Sequence, residues 1–508
     1  MTATERPAGV EERGSWRTVL PAIVVLAVMA ELALLWAHPR IPSNDGPAHQ
    51  YSAFVAHQLR EDPGGRLAQW FRPNPRPVYP NWAYGRLLEA AAGRMAPAEA
   101  EKLFASIYLL ALPLAIGWLA KGLDGDAALA ALVAVPLSLN FLFFMGFFSF
   151  LWGVVLALLA LAAVVRALER PDIPRLALVA TLAAATWFTH LAAFGVVVLG
   201  AAALVLAARP RRSRWTVLIA LAPIVLAAML LYPLELGAEA GFAWSFDPFG
   251  RLLSILTLRL ATAFGGIERG LFAIFGLGLG GAAVHGILRA DGERRRVLVT
   301  LVGALLVAAL AVPTVVGIGS FLDHRLLFFV ALTSTVCIRP RHRGARGVAV
   351  GMAVSMLAGH LGFLEARWRE FDRSLDRFLA VAGQAMAGDA LYVHIRAPHA
   401  SDFTVSPMAH VDAYVHLATG SPDFTLYQAF PPASAVFPIG FTEPGATRVR
   451  RGSEHAPIRM ARIAGWAEEI LLWDPSGEER RNVAASRRYA LVAEDGEAVL
   501  FRRTPAPP

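Results

Sequence analysis

The sequence predicts an α-helical polytopic membrane bundle of about eleven transmembrane helices that carries a C-terminal extracytoplasmic α/β domain. Three observations predict it. The 508 residues are 56% hydrophobic and only 17% charged, whereas soluble domains carry about 25% charge. The mean hydropathy is +0.50. Apolar runs of roughly 20 residues, long enough to cross about 30 Å of hydrocarbon, recur through residues 1–364.

The spans fall at about 19–37, 103–121, 127–145, 147–165, 176–190, 192–208, 216–232, 268–288, 297–316, 325–338 and 347–364. Every second connection is rich in arginine: Arg13 and Arg17; Arg166, Arg170 and Arg175; Arg209, Arg211, Arg212 and Arg214; Arg289 and Arg294 to Arg296; Arg339, Arg341, Arg343 and Arg346. Those ends are expected in the cytoplasm. The connection Lys121 to Asp126 joins them by parity. The two short spans that meet at Thr189-His190 read either as full crossings or as a helical hairpin, and parity is the same in both cases.

Trp36-Ala37-His38-Pro39 supplies no small-residue cleavage site, so the first span reads as a retained signal anchor with a cytoplasmic N-terminus. Residues 38–102 and 365–508 then both lie outside, the expected location being a bacterial inner membrane. The chain divides into a transmembrane module, 1–364, and an extracytoplasmic domain, 365–508. Arginines in the first loop do not break the charge rule, because loops longer than about 60 residues translocate regardless of charge. The net charge of +8 is thus topological and excludes nothing but a nucleic-acid role. Cys337, the single cysteine, allows no internal disulfide and no thiolate metal framework. In the tail, Glu365 to Ala387 is charged with a helical pattern, Ala390 to Ile395 and Glu469 to Trp473 read as strands, and Tyr489 to Arg502 as a hairpin turning at Asp495-Gly496.

The most informative stretch follows the first span: Ile41-Pro42-Ser43-Asn44-Asp45-Gly46-Pro47-Ala48-His49-Gln50-Tyr51. A helix beginning near Gly46 puts Asp45 and His49 on one side. Asp45 then reads as a general base for a hydroxyl, with His49 orienting it or meeting a phosphate. It reads equally as a helix N-cap ahead of a first-turn proline, with no chemistry. Ala48 to Asp62 is amphipathic and suits the membrane interface. Trp70, Phe71, Tyr79 and Trp82 read as headgroup anchors or as sugar-stacking platforms.

Asn44-Asp45-Gly46-Pro47-Ala48-His49 resembles the element of the GT-C superfamily of integral-membrane glycosyltransferases that carries a catalytic acid just after the first span. Pro80-Asn81-Trp82, Ala100-Glu101-Lys102-Leu103, Asn140, Gly146-Phe147 and Ser149-Phe150 look like bacterial members, as does the layout of the whole chain. The resemblance implies a catalytic Asp45 and a polyprenyl-phosphate or polyprenyl-diphosphate sugar as donor. Many members pair two acids in this loop. Here Asn44 precedes Asp45, so the resemblance implies no metal ligand beyond Asp45 for a divalent cation such as magnesium or manganese.

A lipid-phosphate donor needs cations, and Asp323-His324-Arg325 at the outer start of the tenth span offers His324 and Arg325. The alternative is a local Asp323–Arg325 pair that marks the interface. In the external loop Pro233 to Gly266, Glu235, Glu239, Asp247 and Arg251 are candidate substrate contacts or solvated charges. His190 and Glu31 lie at membrane depth, where ionisable groups face a cavity. His410, Tyr414 and His416 fall at helical spacing and either cap the site or lie on the surface.

Together these residues predict an inverting glycosyltransferase: Asp45 and His49 at the reacting centre, Arg325 and His324 on the donor phosphate, Asn44, His190, Glu235, Asp247 and Trp82 on substrate. The acceptor is a glycan, lipid or protein. The rival classes are a transporter or flippase of a lipid-linked substrate, which the lack of similar halves disfavours, a glycan ligase or polymerase, and a non-catalytic scaffold.

Overall fold

Inside hydrocarbon only intrahelical bonds satisfy an isolated segment's backbone, so each apolar run is expected to coil. The computed structural model describes residues 9–76, 79–208, 211–231, 241–243, 247–317, 320–340, 342–386, 388, 390–396, 404–430, 433–435, 437–443 and 460–504. The first span is α1, Gly9–Ala37; the first loop carries α2, Gly46–Glu61, and α3, Trp82–Ala91. The bundle continues with α4, Pro97–Gly122; α5, Ala127–Ala134; α6, Phe141–Phe144; α7, Phe148–Glu169; α8, Ile173–Thr189; α9, Leu191–Ala207; and α10, Arg211–Leu231. It closes with α11, Pro248–Leu256; α12, Ile267–Arg289; α13, Gly292–Ala311; α14, Leu322–Val336; and α15, Arg343–Ala382.

Among the described residues, six helices are long and apolar enough to cross a membrane: α1 from Thr18, α4, α7, α10 from Arg214, α12 and α15. Shorter apolar helices at Ala127–Leu137, α8 and α9 fill the bundle. Leu226, Met229 and Leu230 on α10 and Ile274 on α12 are exposed, as lipid-facing side chains would be. The protein is a polytopic helical bundle with a small C-terminal sheet.

The third span departs from the expected single helix at 127–145. After α5 the chain tightens into a 3₁₀ turn at Val135–Leu137, which includes Pro136, and α6 restarts at Asn140. Proline cannot continue the helical ladder. Asn140 then splices the break: its Nδ2 donates to the Leu137 and Ser138 carbonyls, and its Oδ1 accepts from the Leu142 and Phe143 N–H groups. The short pair α8 and α9 is joined by one extended residue, His190.

Helix α15 has 40 residues, about 60 Å at 1.5 Å per residue, roughly twice the hydrocarbon thickness. Its second half therefore leaves the bundle, and Phe371, Leu375 and Phe378 pack under the tail's sheet. Strands β1, Phe71–Pro73, β2, Gly241–Ala243, and β3, Val315–Gly317, precede the tail's β4, Leu391–Ile395, β5, Ile439–Phe441, β6, Glu469–Trp473, β7, Tyr489–Asp495, and β8, Ala498–Arg503. The sheet order is β4-β6-β8-β7, with β4 parallel to β6 and the other pairs antiparallel. Its second face is covered by Ile463 and Val483. The expected strands and the hairpin at Asp495-Gly496 are present.

The first loop and the tail form one core. Strand β1 pairs antiparallel with β5, placing Phe71 opposite Phe441 and Pro73 opposite Ile439. Helix α2 buries Tyr51, Val55 and Leu59 against Phe424, Leu426 and Phe430, beside α16, Asp412–Thr419. Trp70, Phe71 and Tyr79 are thus no headgroup anchors: they are buried, Trp70 edge-on to Phe424 and Phe71 stacked on Phe441. The same packing covers the amphipathic α2, whose apolar stripe meets protein. Truncating Phe441 to Ala should cost about 3–5 kcal/mol of docking energy. Limited proteolysis should then cut within 404–443 faster than in the wild type while helical circular dichroism is retained.

Candidate active site

Asp45 stands where α1 hands over to α2. The chain arrives with Asn44 N–H donating to the Phe144 carbonyl at 2.8 Å and Asp45 N–H to the Met145 carbonyl at 3.1 Å. That approach demands glycine at 146, and the side chains of Ser43 and Glu101 leave no room for a Cβ at 46. A Cβ on Gly146, whose φ is +79°, would lie 2.7 Å from Gly46 N, and one on Gly46 would lie 2.1 Å from Ser43 Oγ. Real Cβ contacts do not come so close, and positive φ strains other residues.

The carboxylate of Asp45 makes no capping bond to α2. Its Oδ1 accepts from Asn44 Nδ2 at 2.8 Å and lies 3.6 Å from His410 Nε2. Where many sequences of this kind place a second acid, Asn44 donates a hydrogen bond that a carboxylate would lack. His49 is one helical turn on. Its ring meets Tyr84 and Phe437, and Nδ1 contacts Gln428 Nε2 at 3.1 Å. Desolvation there pushes its pKa from 6.5 down to about 4, with the neighbouring Asp45 opposing and His410 reinforcing the shift. His49 is therefore neutral at physiological pH and cannot act as a cation toward phosphate in this state.

Arg325 is buried at 8% exposure and has no carboxylate within ion-pair distance among the described residues. The sequence-level alternative of an Asp323–Arg325 pair is not formed, because Asp323 turns to His324 Nδ1 at 2.9 Å and Arg251 at 3.5 Å. The guanidinium lies 4.4 Å over Phe147 and 5.1 Å over Phe150. Its Nη1 is 2.5 Å from His190 Nε2, while Nε has no partner. Neutral imidazole has one lone pair, and the Ala192 N–H already points at His190 Nδ1 from 3.1 Å. Arg325 is thus a buried, underpartnered cation, with Asp45 the acid whose charge acts on it.

One segment joins the two halves. Asn140 caps α6, Gly146 admits the Asp45 loop, Phe147 and Phe150 carry Arg325, Ser149 Oγ donates to the Thr189 carbonyl at 2.5 Å, and Phe150 meets the His190 ring edge-on. Trp82 comes close through Phe188, two residues before His190, and holds Arg86 over its ring. His324 packs on Phe141 and Phe321. Asp247 stands apart: it is exposed and caps α11 through Gly250 N–H at 2.8 Å. Glu235 and Glu239 lie outside the described residues. Glu31 is spent on Ser138 Oγ at 2.6 Å. Sequence reading left His410 between cap and surface and had no signal for Gln428. Neither His410, Tyr414 nor His416 is plain surface: Tyr414 lies under Arg40, and His416 bonds Ser421 Oγ at 2.8 Å.

The sequence matches no protein-family model and no curated protein. Solved structures do match. ArnT from Cupriavidus metallidurans bound to undecaprenyl phosphate superposes with a TM-score of 0.53 at 10% identity, over 97% of this chain and 98% of that one. Its apo state gives 0.52 at 13% identity, over 94% and 97%. This is the GT-C fold. A weaker likeness, TM-score 0.47 at 12% identity over 90% and 69%, is to the archaeal oligosaccharyltransferase AglB from Archaeoglobus fulgidus in complex with an inhibitory peptide and a dolichol-phosphate. At such identity the GT-C fold is shared while side chains are not inherited by position, so the site rests on its own geometry.

Among the described residues no three His, Cys, Asp or Glu side chains converge as a metal site requires, and around Asp45 the nearest such donor is His410, beside an asparagine.

Gly146→Ala should displace the Asp45 loop and lower turnover at least about tenfold with the bundle still folded, measured as activity against thermal melt. Acid should loosen the docked tail. His49 ordinarily titrates at 6.5 but is held to about 4 in the fold, so protonation favours the undocked chain between those values. The melting temperature in detergent should fall as pH drops from 6.5 toward 4, and fall less in His49→Gln.

Proposed function

We propose that this chain is a membrane glycosyltransferase that moves a sugar from a polyprenyl-phosphate-type donor to a hydroxyl acceptor at the extracytoplasmic face of a bacterial inner membrane. The single observation that carries it is Arg325: a buried guanidinium without an ion-pair partner, on two phenyl rings, in the electrostatic reach of Asp45. Burying such a charge unpaired is costly, and an anion that enters the site removes the cost. A lipid phosphate is an anion that arrives from the bilayer. The GT-C fold and the binding of undecaprenyl phosphate by ArnT support the same donor class.

In the proposed reaction the acceptor oxygen attacks the anomeric carbon as its proton passes to Asp45. The bond from that carbon to the phosphate oxygen breaks, the electron pair leaves on the phosphate, and Arg325 and His324 meet the new charge. The configuration inverts. Phe147 and Phe150 carry Arg325 beside His190, Asn44 holds Asp45, and Trp82 lies against the same end of α8 as a sugar-stacking platform. No step passes through a metal. The orientation follows from the arginine-rich connections and puts both the first loop and the tail outside.

The test is transfer from a synthetic prenyl-phosphate sugar by the purified full-length protein. Asp45→Asn should lower kcat about 10²–10⁴-fold with donor affinity retained. Arg325→Ala should instead raise the donor Kd about 10–100-fold, the loss of one charged hydrogen-bonding group. Normal turnover in Asp45→Asn, or passage of the donor across liposomes without any transfer, would replace this function by another.

A further inference from the structure

We propose that His410, supplied by the C-terminal segment, is a positioning residue of the active site that takes from Asp45 the proton lost by the acceptor, so that the tail is a working part of the transferase. This rests on the function proposed above and names what regenerates its base.

The geometry is specific. His410 Nε2 stands 3.6 Å from Asp45 Oδ1, a separation that a small side-chain movement closes to a hydrogen bond. The imidazole packs against the Tyr427 ring at 5.1 Å. Its segment is clamped to the first loop: Tyr51 Oη donates to the Ser421 carbonyl at 2.8 Å and accepts from Asp423 N–H at 2.9 Å. Thr425 Oγ1 in turn donates to Asp412 at 2.8 Å, tying both ends of the segment together. Ala413 N–H reaches back to the His410 carbonyl at 3.2 Å. These bonds hold the segment that carries His410 beside the first loop.

The other imidazole near Asp45 is excluded from the role. His49 is engaged by Gln428, enclosed by Tyr84 and Phe437, and reluctant to hold a proton. Among the described residues, the groups facing His410 include Asp45 at the start of α2, His49 within α2 and Tyr427 from its own segment, with Arg325 beyond Asp45. Arg325 is a permanent cation that cannot accept a proton.

Atoms balance without a further reactant. The acceptor O–H proton moves to the Asp45 carboxylate as the sugar carbon exchanges phosphate oxygen for acceptor oxygen. The Asp45 proton then passes to the lone pair on His410 Nε2, giving imidazolium beside a restored carboxylate. Water removes that proton before the next donor arrives.

Three variants of the full-length protein test this with one prenyl-phosphate sugar: His410→Gln, His410→Ala and Asp45→Asn. In His410→Gln we expect kcat to fall at least about tenfold with donor KM unchanged, since a relay contributes to turnover and not to binding. The wild-type acid limb of kcat against pH should vanish in that variant. Added imidazole should restore His410→Ala in proportion to the free base. Unchanged kcat and an unchanged acid limb in His410→Gln overturn the proposal, as does lack of imidazole rescue in a His410→Ala protein that melts like the wild type. If His410→Ala melts early, His410→Gln decides. An inactive Asp45→Asn alongside a normal His410→Gln removes only the relay, whereas an active Asp45→Asn removes the transferase mechanism itself.

Discussion

The site depends on two backbones touching. Residues 44 and 45 hydrogen-bond to the carbonyls of Phe144 and Met145, and Gly46 faces Gly146 with no room for a methyl group on either. Every other contact is arranged around that seam. It brings the carboxylate of the first loop to the segment whose next residues, Phe147 and Phe150, carry the Arg325 guanidinium. A carboxylate and a buried guanidinium from distant parts of the chain are thereby held on one short piece of backbone, the preorganisation that the proposed displacement would need.

The seam in turn explains the broken third span. The Phe144 and Met145 carbonyls lie at the C-terminal end of α6, where helix carbonyls have no intrahelical partner. Pro136 and Asn140 end the ladder and cap its restart, leaving the Phe144 and Met145 carbonyls to accept from the first loop. The same logic holds on the outer side. Polar groups of α2 that would otherwise face solvent are satisfied by the tail, as Tyr51 is by Ser421 and Asp423.

Much of this was legible in the sequence because hydrophobic length and arginine placement are coarse, one-dimensional signals. Helices at the predicted spans, the third of them broken at Pro136, the helical character of 365–382, both predicted strands and the hairpin after Tyr489 follow from them. Asp45 stood out, but whether it capped a helix was undecidable until its side chain was seen to leave the α2 N–H groups alone. Trp70, Phe71 and Tyr79 misled for a related reason: an aromatic cluster beside a span looks the same whether headgroups or Phe424 and Phe441 cover it. That Asp323 turns to Arg251 as well as to its neighbour His324, and that Arg325 lies against His190, depends on residues of other segments, which no local pattern encodes.

The joint core of first loop and tail also sets an order of events. Gln428 meets His49 across 379 positions, and Ser421 meets Tyr51 across 370. Such contacts form late, because the chain between them must already be in place. While the bundle is being inserted, the first loop that carries Asp45 lacks its tail contacts. A chain arrested before residue 404 would present every span and yet hold an unfinished site. The order of synthesis therefore delays completion of the surroundings of Asp45 until the last stretch of chain has joined the first.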